Sequence, residues 1–322
     1  MSDLVISLGF SGVPAELQEN FDAALAYLRA QVSPATLRAY QSDFKIFCSW
    51  CDQHGLSRVP ATPESLILFL ANQAQGGISA VTLERRMASI RYIHQLKNIP
   101  SPTDHVHVRA TLAGIKRTHG SQAKHQKEPL LDHQLLEMLA LTPDTLAGVR
   151  DRAILALGFA GAFRRSELAA LQFVDLRFDR VGHLICNIQR SKTDQSGKGF
   201  EKPIYNGSQF QAVVRLKAWL NEAGITEGPV FRRIDWAGGA TEQALSGQWI
   251  GRIVKKYAGL IGLDVKDFAA HSLRSGFITS AGERDVQLYK IMEVTGQKDP
   301  RTVLRYLRRA NLFKNHAGDG FL

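Results

Sequence analysis

"HLICNIQRSKTDQSGKGFEKPIYN", residues 183–206, breaks the period of the chain on either side of it. "HLICNIQ" and "FEKPIYN" read as strands, and the polar, glycine-containing "RSKTDQSGKG" between them reads as a connecting loop. Before this stretch, "LLDHQLLEMLAL" and "LAGVRDRAILALGFAGAF" carry helical spacing. Helical patterns return after it and run through Tyr306. One hairpin in helical surroundings predicts a mostly helical domain with a small antiparallel β-sheet, an α+β unit.

Upstream, the chain reads as helices alone. A first helix lies around "LQENFDAALAYLRAQ". Ser33-Pro34 is an N-cap followed by proline at the first helical position, and Leu37, Tyr40, Phe44 and Phe47 then recur at helical spacing. Thr62-Pro63-Glu64 repeats the device before "SLILFLANQ", which Gly76-Gly77 ends. Ser79 opens another helix through Met87, Ile90 and Ile93, and "VHVRATLAGIKRTHG" closes the series at Gly120. The reading is a mainly α protein: an all-helical domain over residues 1–120, a polar, basic, proline-containing linker over 121–129, and the mixed domain over 130–322.

The 322 residues suffice for two cores. With 44% hydrophobic and 22% charged residues, the composition is that of an ordinary globular protein. The longest wholly apolar run, Ile154 to Phe163, is far short of the roughly 20 residues that cross a bilayer. "MSDLVISLGFSG" carries an acid and no basic n-region, so no signal peptide is expected. The expectation is a soluble, cytoplasmic protein without a membrane partner.

Lys and Arg exceed Asp and Glu by 40 to 30, which suits a polyanionic partner such as nucleic acid. Residues 1–128 hold 13 basic against 10 acidic side chains and residues 129–322 hold 27 against 20, so both parts could touch one anion. Three cysteines, Cys48, Cys51 and Cys186, make no paired framework and suit a reducing compartment. Cys48, Cys51 and His54 share a helix face, but a structural zinc generally takes four ligands from two pairs, and no second pair exists here. They read as core residues of an amphipathic helix, and no cofactor or metal is expected.

Four stretches of the second domain carry groups suited to phosphate chemistry. "GAFRRSELAAL" supplies Arg164, Arg165 and Glu167, "RSKTDQ" supplies Lys192, and "HSLRSGF" supplies His271 and Arg274 one turn apart. "VTGQKDPRTVLRYLRR" supplies Gln297 and Tyr306. A phenol, with an ordinary pKa of about 10, must lose its proton to attack phosphorus, and nearby positive charge eases that loss. Guanidinium forks stabilise charge building on the non-bridging oxygens, and a lysine or histidine can protonate the departing sugar oxygen. Singly, each residue has an ordinary reading: an ion-pair arginine, a solvated loop lysine, a capping or core histidine, a half-buried tyrosine.

Order and spacing add what the single residues lack. "FRRSEL" matches an arginine motif of arginine, two residues, an acid and leucine; "HSLR" matches histidine, two residues, arginine; Tyr306 follows the Gly296-Gln297 pair by nine residues. In these motifs the second domain resembles the tyrosine recombinase family, the Cre, Xer and phage-integrase type of site-specific DNA recombinase. The helical first domain fits that family's DNA core-binding domain.

The resemblance implies cleavage and rejoining of DNA strands through a 3′-phosphotyrosine, without metal or ATP. Arg164 and Arg274 would clamp the phosphate, Tyr306 attack it, Lys192 protonate the leaving oxygen, His271 move protons near Tyr306, and Glu167 hold its neighbours. Gln297 departs from the family, which has His or Trp there; an amide keeps a hydrogen-bond donor but cannot titrate. Arg38, Lys45, Arg85, Arg86 and Arg91 are candidate DNA contacts on the first domain. The implied partner is double-stranded DNA bearing a recombination site, gripped by a homo-tetramer whose C-terminal tails dock on neighbouring protomers, at the nucleoid. A type IB topoisomerase-like or hairpin-forming strand transferase would share nucleophile and clamp, and a DNA-binding accessory protein would bind without an adduct.

Overall fold

Three helix starts in the first unit share one local device. Ser33, Thr62 and Ser79 each hold extended backbone and accept a hydrogen bond from the N–H three residues on, at 3.2, 3.2 and 3.4 Å. The computed structural model describes residues 14–120, 127–189, 199–310 and Lys314. Within them the chain divides into two compact units, 1–124 and 125–322. The first is helical throughout its described part: α1 (Gln18–Ala30), α2 (Pro34–Gln53), α3 (Pro63–Gln75), α4 (Ala80–Leu96) and α5 (Val106–His119).

The core of this unit gathers Phe47 and Trp50 from α2, Leu66, Phe69 and Leu70 from α3, Leu83, Met87 and Ile90 from α4, and Val108 from α5. Phe69 receives the Phe47 ring edge-on at 5.1 Å and the Trp50 ring at 5.4 Å, the arrangement ring quadrupoles favour. Cys51 is wholly buried in this core, and the His54 ring lies against Trp50. Buried Asp43 accepts two bonds from the Arg85 guanidinium, at 2.6 and 3.0 Å, and pairs with Arg86 at 3.8 Å.

The second unit opens with α6 (Asp132–Ala140), α7 (Leu146–Ala160) and α8 (Arg165–Ala170), followed by β1 (Leu176–Phe178), β2 (Leu184–Ile188) and β3 (Phe200–Ile204). After α9 (Ala212–Glu222) come β4 (Arg232–Ile234) and β5 (Ala240–Ala244), then α10 (Gly247–Leu260), α11 (Ala270–Glu283), α12 (Leu288–Thr295) and α13 (Pro300–Ala310). α7 runs through the middle of the core, its residues from Gly148 to Phe159 buried except Arg152, with buried Arg150 and Asp151 paired to each other. It packs on α6, α9, α10 and α11.

The quoted hairpin is β2 and β3, antiparallel with Leu184 opposite Ile204 and Ile188 opposite Phe200, and β1 adds a third strand beside β2. The structure adds β1 and a separate antiparallel pair, β4 and β5, to the expected sheet. The segment expected to link the domains is only partly described. Glu128 donates its N–H to Asp267 O and Leu130 to Ser272 O, so this end of it belongs to the second unit. Gly276 of α11 makes the approach possible: a Cβ there would lie 1.8 Å from Leu130 O.

Candidate active site

The site is assembled where α7, α11 and α12 end or begin. After α7, Ala162 takes a left-handed φ of 45°, rare for a residue with a Cβ, and turns the chain into Arg164 at the cap of α8. Glu167, 5% exposed, holds Arg164 twice: one carboxylate oxygen accepts from its backbone N–H at 2.9 Å, the other from Nη1 at 2.6 Å. The acid three residues on therefore fixes both the backbone and the rotamer of the arginine.

α11 brings in His271 and Arg274 one turn apart. Arg274 is 1% exposed, and its Nη1 donates to Ala162 O at 2.7 Å and Thr295 O at 2.9 Å. Its Nη2 is buried with no hydrogen-bond partner among the described residues. Burial, and then the charge of Arg164, draw its pKa down to about 10, so it stays cationic at neutral pH. A buried cationic donor left unpaired is costly unless an anion completes it.

Tyr306 sits in α13, which packs on α11 through a small apolar cluster of Ile278, Ile291 and Val303, with Tyr306 and Leu307 against it. This packing brings the hydroxyl to 3.0 Å from His271 Nε2. The His271 pKa lies below the ordinary histidine value, lowered first by desolvation and then by Arg274 and Arg164. At neutral pH its imidazole is neutral and can accept a proton.

α12 ends at Gly296, whose φ of 65° is left-handed; a Cβ there would press on the Phe200 ring at 2.9 Å. Gln297 follows, half-buried, and its Oε1 is buried without a hydrogen-bond partner among the described residues. Thus hydrogen bonds pair Arg164 with Glu167 and His271 with Tyr306, and tie Arg274 to the Ala162 and Thr295 carbonyls, two residues before Arg164 and two before Gln297. Lys192 lies outside the described residues.

A lysine not singled out in the sequence is buried beside them. Lys202 of β3 is wholly buried and donates to Gly161 O at 2.7 Å and Val294 O at 2.5 Å. Its place between Phe200 and Ile204 on one strand face is the signal that could have found it, because period two puts a charge among core residues.

The first-unit candidates divide. Arg38 and Lys45 are exposed, seven residues apart on α2. Arg85 is exposed but bidentate to Asp43, and Arg91 pairs with Asp104 at 2.8 Å and bonds Thr103. Arg86 differs from the other four: it is 7% exposed and bound to Asp43 and Gln73, partners within its own unit.

Residues 129–312 match the model of the phage integrase family, and residues 19–98 that of the phage integrase N-terminal SAM-like domain. The chain is 38% identical over 287 residues to an integrase/recombinase XerD homologue of Selenomonas ruminantium, covering 88% of this chain and 84% of that one. It is 23% identical to the recombinase Cre of Escherichia phage P1, over 87% and 85% of the two chains. Its fold superposes on a lambda integrase dimer bound to a core site with a TM-score of 0.58 at 17% identity, covering 91% of this chain and 95% of that one. A post-cleavage complex of the XerH recombinase gives 0.59, also at 17% identity, over 78% and 69%.

The class these features define is the DNA-recombining enzymes that work through a tyrosine. The chain belongs to the phage integrase family, as a tyrosine site-specific recombinase of the Xer, Cre and lambda integrase type.

Proposed function

We propose that this recombinase cuts and rejoins strands of double-stranded DNA at a specific site through a phosphotyrosine on Tyr306. The observation that carries the reading is the 3.0 Å contact of the Tyr306 hydroxyl with a neutral His271, next to a buried Arg274 whose Nη2 has no partner among the described residues. The scissile phosphate completes Arg274 and is gripped from a second side by Arg164, which Glu167 holds in place. Tyr306 Oη gives its proton to His271 Nε2 and bonds to phosphorus, and the bond to the 5′ oxygen breaks. Lys192 protonates that oxygen, leaving a 3′-phosphotyrosine and a free 5′-hydroxyl. Attack by a 5′-hydroxyl from a second strand runs the same steps backwards, so no ATP is consumed. Gln297 donates to a phosphate oxygen in the place of an imidazole or indole.

The first unit contributes the DNA core-binding surface, with the exposed Arg38 and Lys45 of α2 among its contacts, and the second unit is catalytic. Strand exchange takes place in a tetramer on DNA. The supporting residues of the expected tail contact, 311–313 and 315–322, lie outside the described residues, and Lys314 is held within its own chain by Asp285. The relatives named above are recombinases, and some of the similar folds are bound to their sites, which supports DNA as the partner.

The test is covalent capture. Duplexes with randomised cores are incubated with the protein, denatured, and those joined to protein are sequenced. Two copies of the selected site are then assayed for strand exchange without ATP. Enrichment of one site and exchange between copies support the reading. Relaxation of supercoils without exchange would favour a topoisomerase-like activity, and binding without adduct an accessory role.

A further inference from the structure

Lys202 occupies a position that strand geometry reserves for apolar side chains. Phe200, Lys202 and Ile204 share the inward face of β3, and Lys202 stands opposite buried Cys186 of β2. A wholly buried ammonium is strongly disfavoured unless something specific compensates it. Here the compensation comes from two carbonyls, Gly161 O and Val294 O, and from the faces of Phe163 and Phe200, 5.1 and 5.5 Å from Nζ.

Those carbonyls are the neighbours of the pair that Arg274 holds. Arg274 Nη1 takes Ala162 O and Thr295 O; Lys202 Nζ takes Gly161 O and Val294 O. Two cations therefore bridge the same two chain ends, the exit of α7 and the exit of α12, each with one carbonyl from either side. The first chain end runs on into Arg164 and the second into Gln297. Resting on the function proposed above, we infer that Lys202 is a positioning residue for cleavage: with Arg274 it forms a double clasp that sets Arg164 and Gln297 around the phosphate.

An apolar side chain would fill the space but leave both carbonyls unanswered and remove one of the two cations that bridge the exits. The charges around Lys202 are Glu167, which favours its cationic form, and Arg274 and Arg164, which oppose it, with the Cys186 thiol on the neighbouring strand. Burial is the larger influence and brings the Lys202 pKa down to about 7, so its charge is poised where an arriving phosphate can consolidate it.

The test compares single-turnover cleavage of the captured site, as a nicked duplex, with cleavage of the same duplex carrying sulfur in place of the 5′ bridging oxygen. Sulfur leaves without needing a proton. Lys202→Met is expected to bind the duplex within about threefold of the wild type and to cleave it at saturation about tenfold or more slowly, as a misplaced clamp does. The deficit should persist on the sulfur duplex, whereas the deficit of Lys192→Ala should shrink there. On an Arg164→Lys background the Met substitution should cost less than about threefold more, because a clamp already displaced has little left to lose. Should the Met variant fail to fold, Lys202→Leu, which also lacks a donor, is read against the same limits. Cleavage within about twofold of wild type, rescue by sulfur, or full additivity with Arg164→Lys would each overturn the inference. Failure of the functional reading is seen separately, as an adduct that still forms with Tyr306→Phe.

Discussion

His271 Nε2 and the Tyr306 hydroxyl lie 3.0 Å apart although 35 residues of sequence separate them. The contact exists because α11 and α13 pack face to face through Ile278 and Val303, which puts the Tyr306 hydroxyl over the first turn of α11. Desolvation together with Arg274 and Arg164 keeps the imidazole neutral at neutral pH, in the form that accepts a proton.

The pH dependence follows with a fixed sign. His271 has a pKa below its ordinary 6.5, so its acceptor form is lost only as pH falls through that lowered value. Single-turnover cleavage should fall on this acid limb. In His271→Ala the limb should vanish and the plateau drop about 100-fold or more, the usual contribution of positioned acid–base groups. An unchanged limb in the variant would remove His271 from the proton path.

Gln297 can be judged by what its substitution leaves. Gln297→His and Gln297→Trp each retain a donor and should cleave within about tenfold of the wild type. Gln297→Ala loses a hydrogen bond of about 1.5–3 kcal/mol to a charged phosphate, a fall of about 10- to 150-fold. A large activation by the histidine would show that the amide had been limiting.

The arginines of the first unit should separate by assay. Removing Asp43 leaves Arg86 buried without its ion pair, so Asp43→Ala should cost about 3–5 kcal/mol of stability, measured by denaturant unfolding. Arg38→Ala and Lys45→Ala should leave stability unchanged and reduce the slope of log affinity against log salt by about one each. An Arg86→Ala variant that folded normally and lost DNA affinity would reverse the assignment.

Lys202 also marks the stability curve. Its pKa is about 7 in the folded chain against an ordinary 10.5, so between these values the unfolded chain binds the extra proton and the folded one does not. This group's contribution to stability therefore rises with pH from about 7 to about 10.5, and its burial penalty is present in full below that window. Unfolding followed from pH 6 to 10 should show the rise in the wild type and lose it in Lys202→Met.

Much of the fold was legible because its signals are local. Ser33, Thr62 and Ser79 cap the helices that their spacing announced, and the change of period at residues 183–206 marked β2 and β3. β1 and the β4–β5 pair were missed: the strands are three to five residues long, and β4 and β5 are largely exposed, so neither alternation nor an apolar run marks them. The motif residues were legible as a set by order and spacing. The burial of Arg86 depends on Asp43, 43 positions earlier, and the clasp of Lys202 depends on carbonyls of residues 161 and 294. Carbonyl partners carry no residue signature, which is why Lys192 drew notice and Lys202 did not.

The most direct measurement is the covalent link itself. The captured site, nicked beside the cut so that the 5′ fragment diffuses away, is incubated with the protein, denatured and digested, and the peptide bearing nucleotide is identified by mass spectrometry. The account predicts a denaturation-resistant adduct with the wild type, located on the α13 peptide at Tyr306, and none with Tyr306→Phe. No adduct with the wild type, or an adduct that persists in Tyr306→Phe, would contradict it.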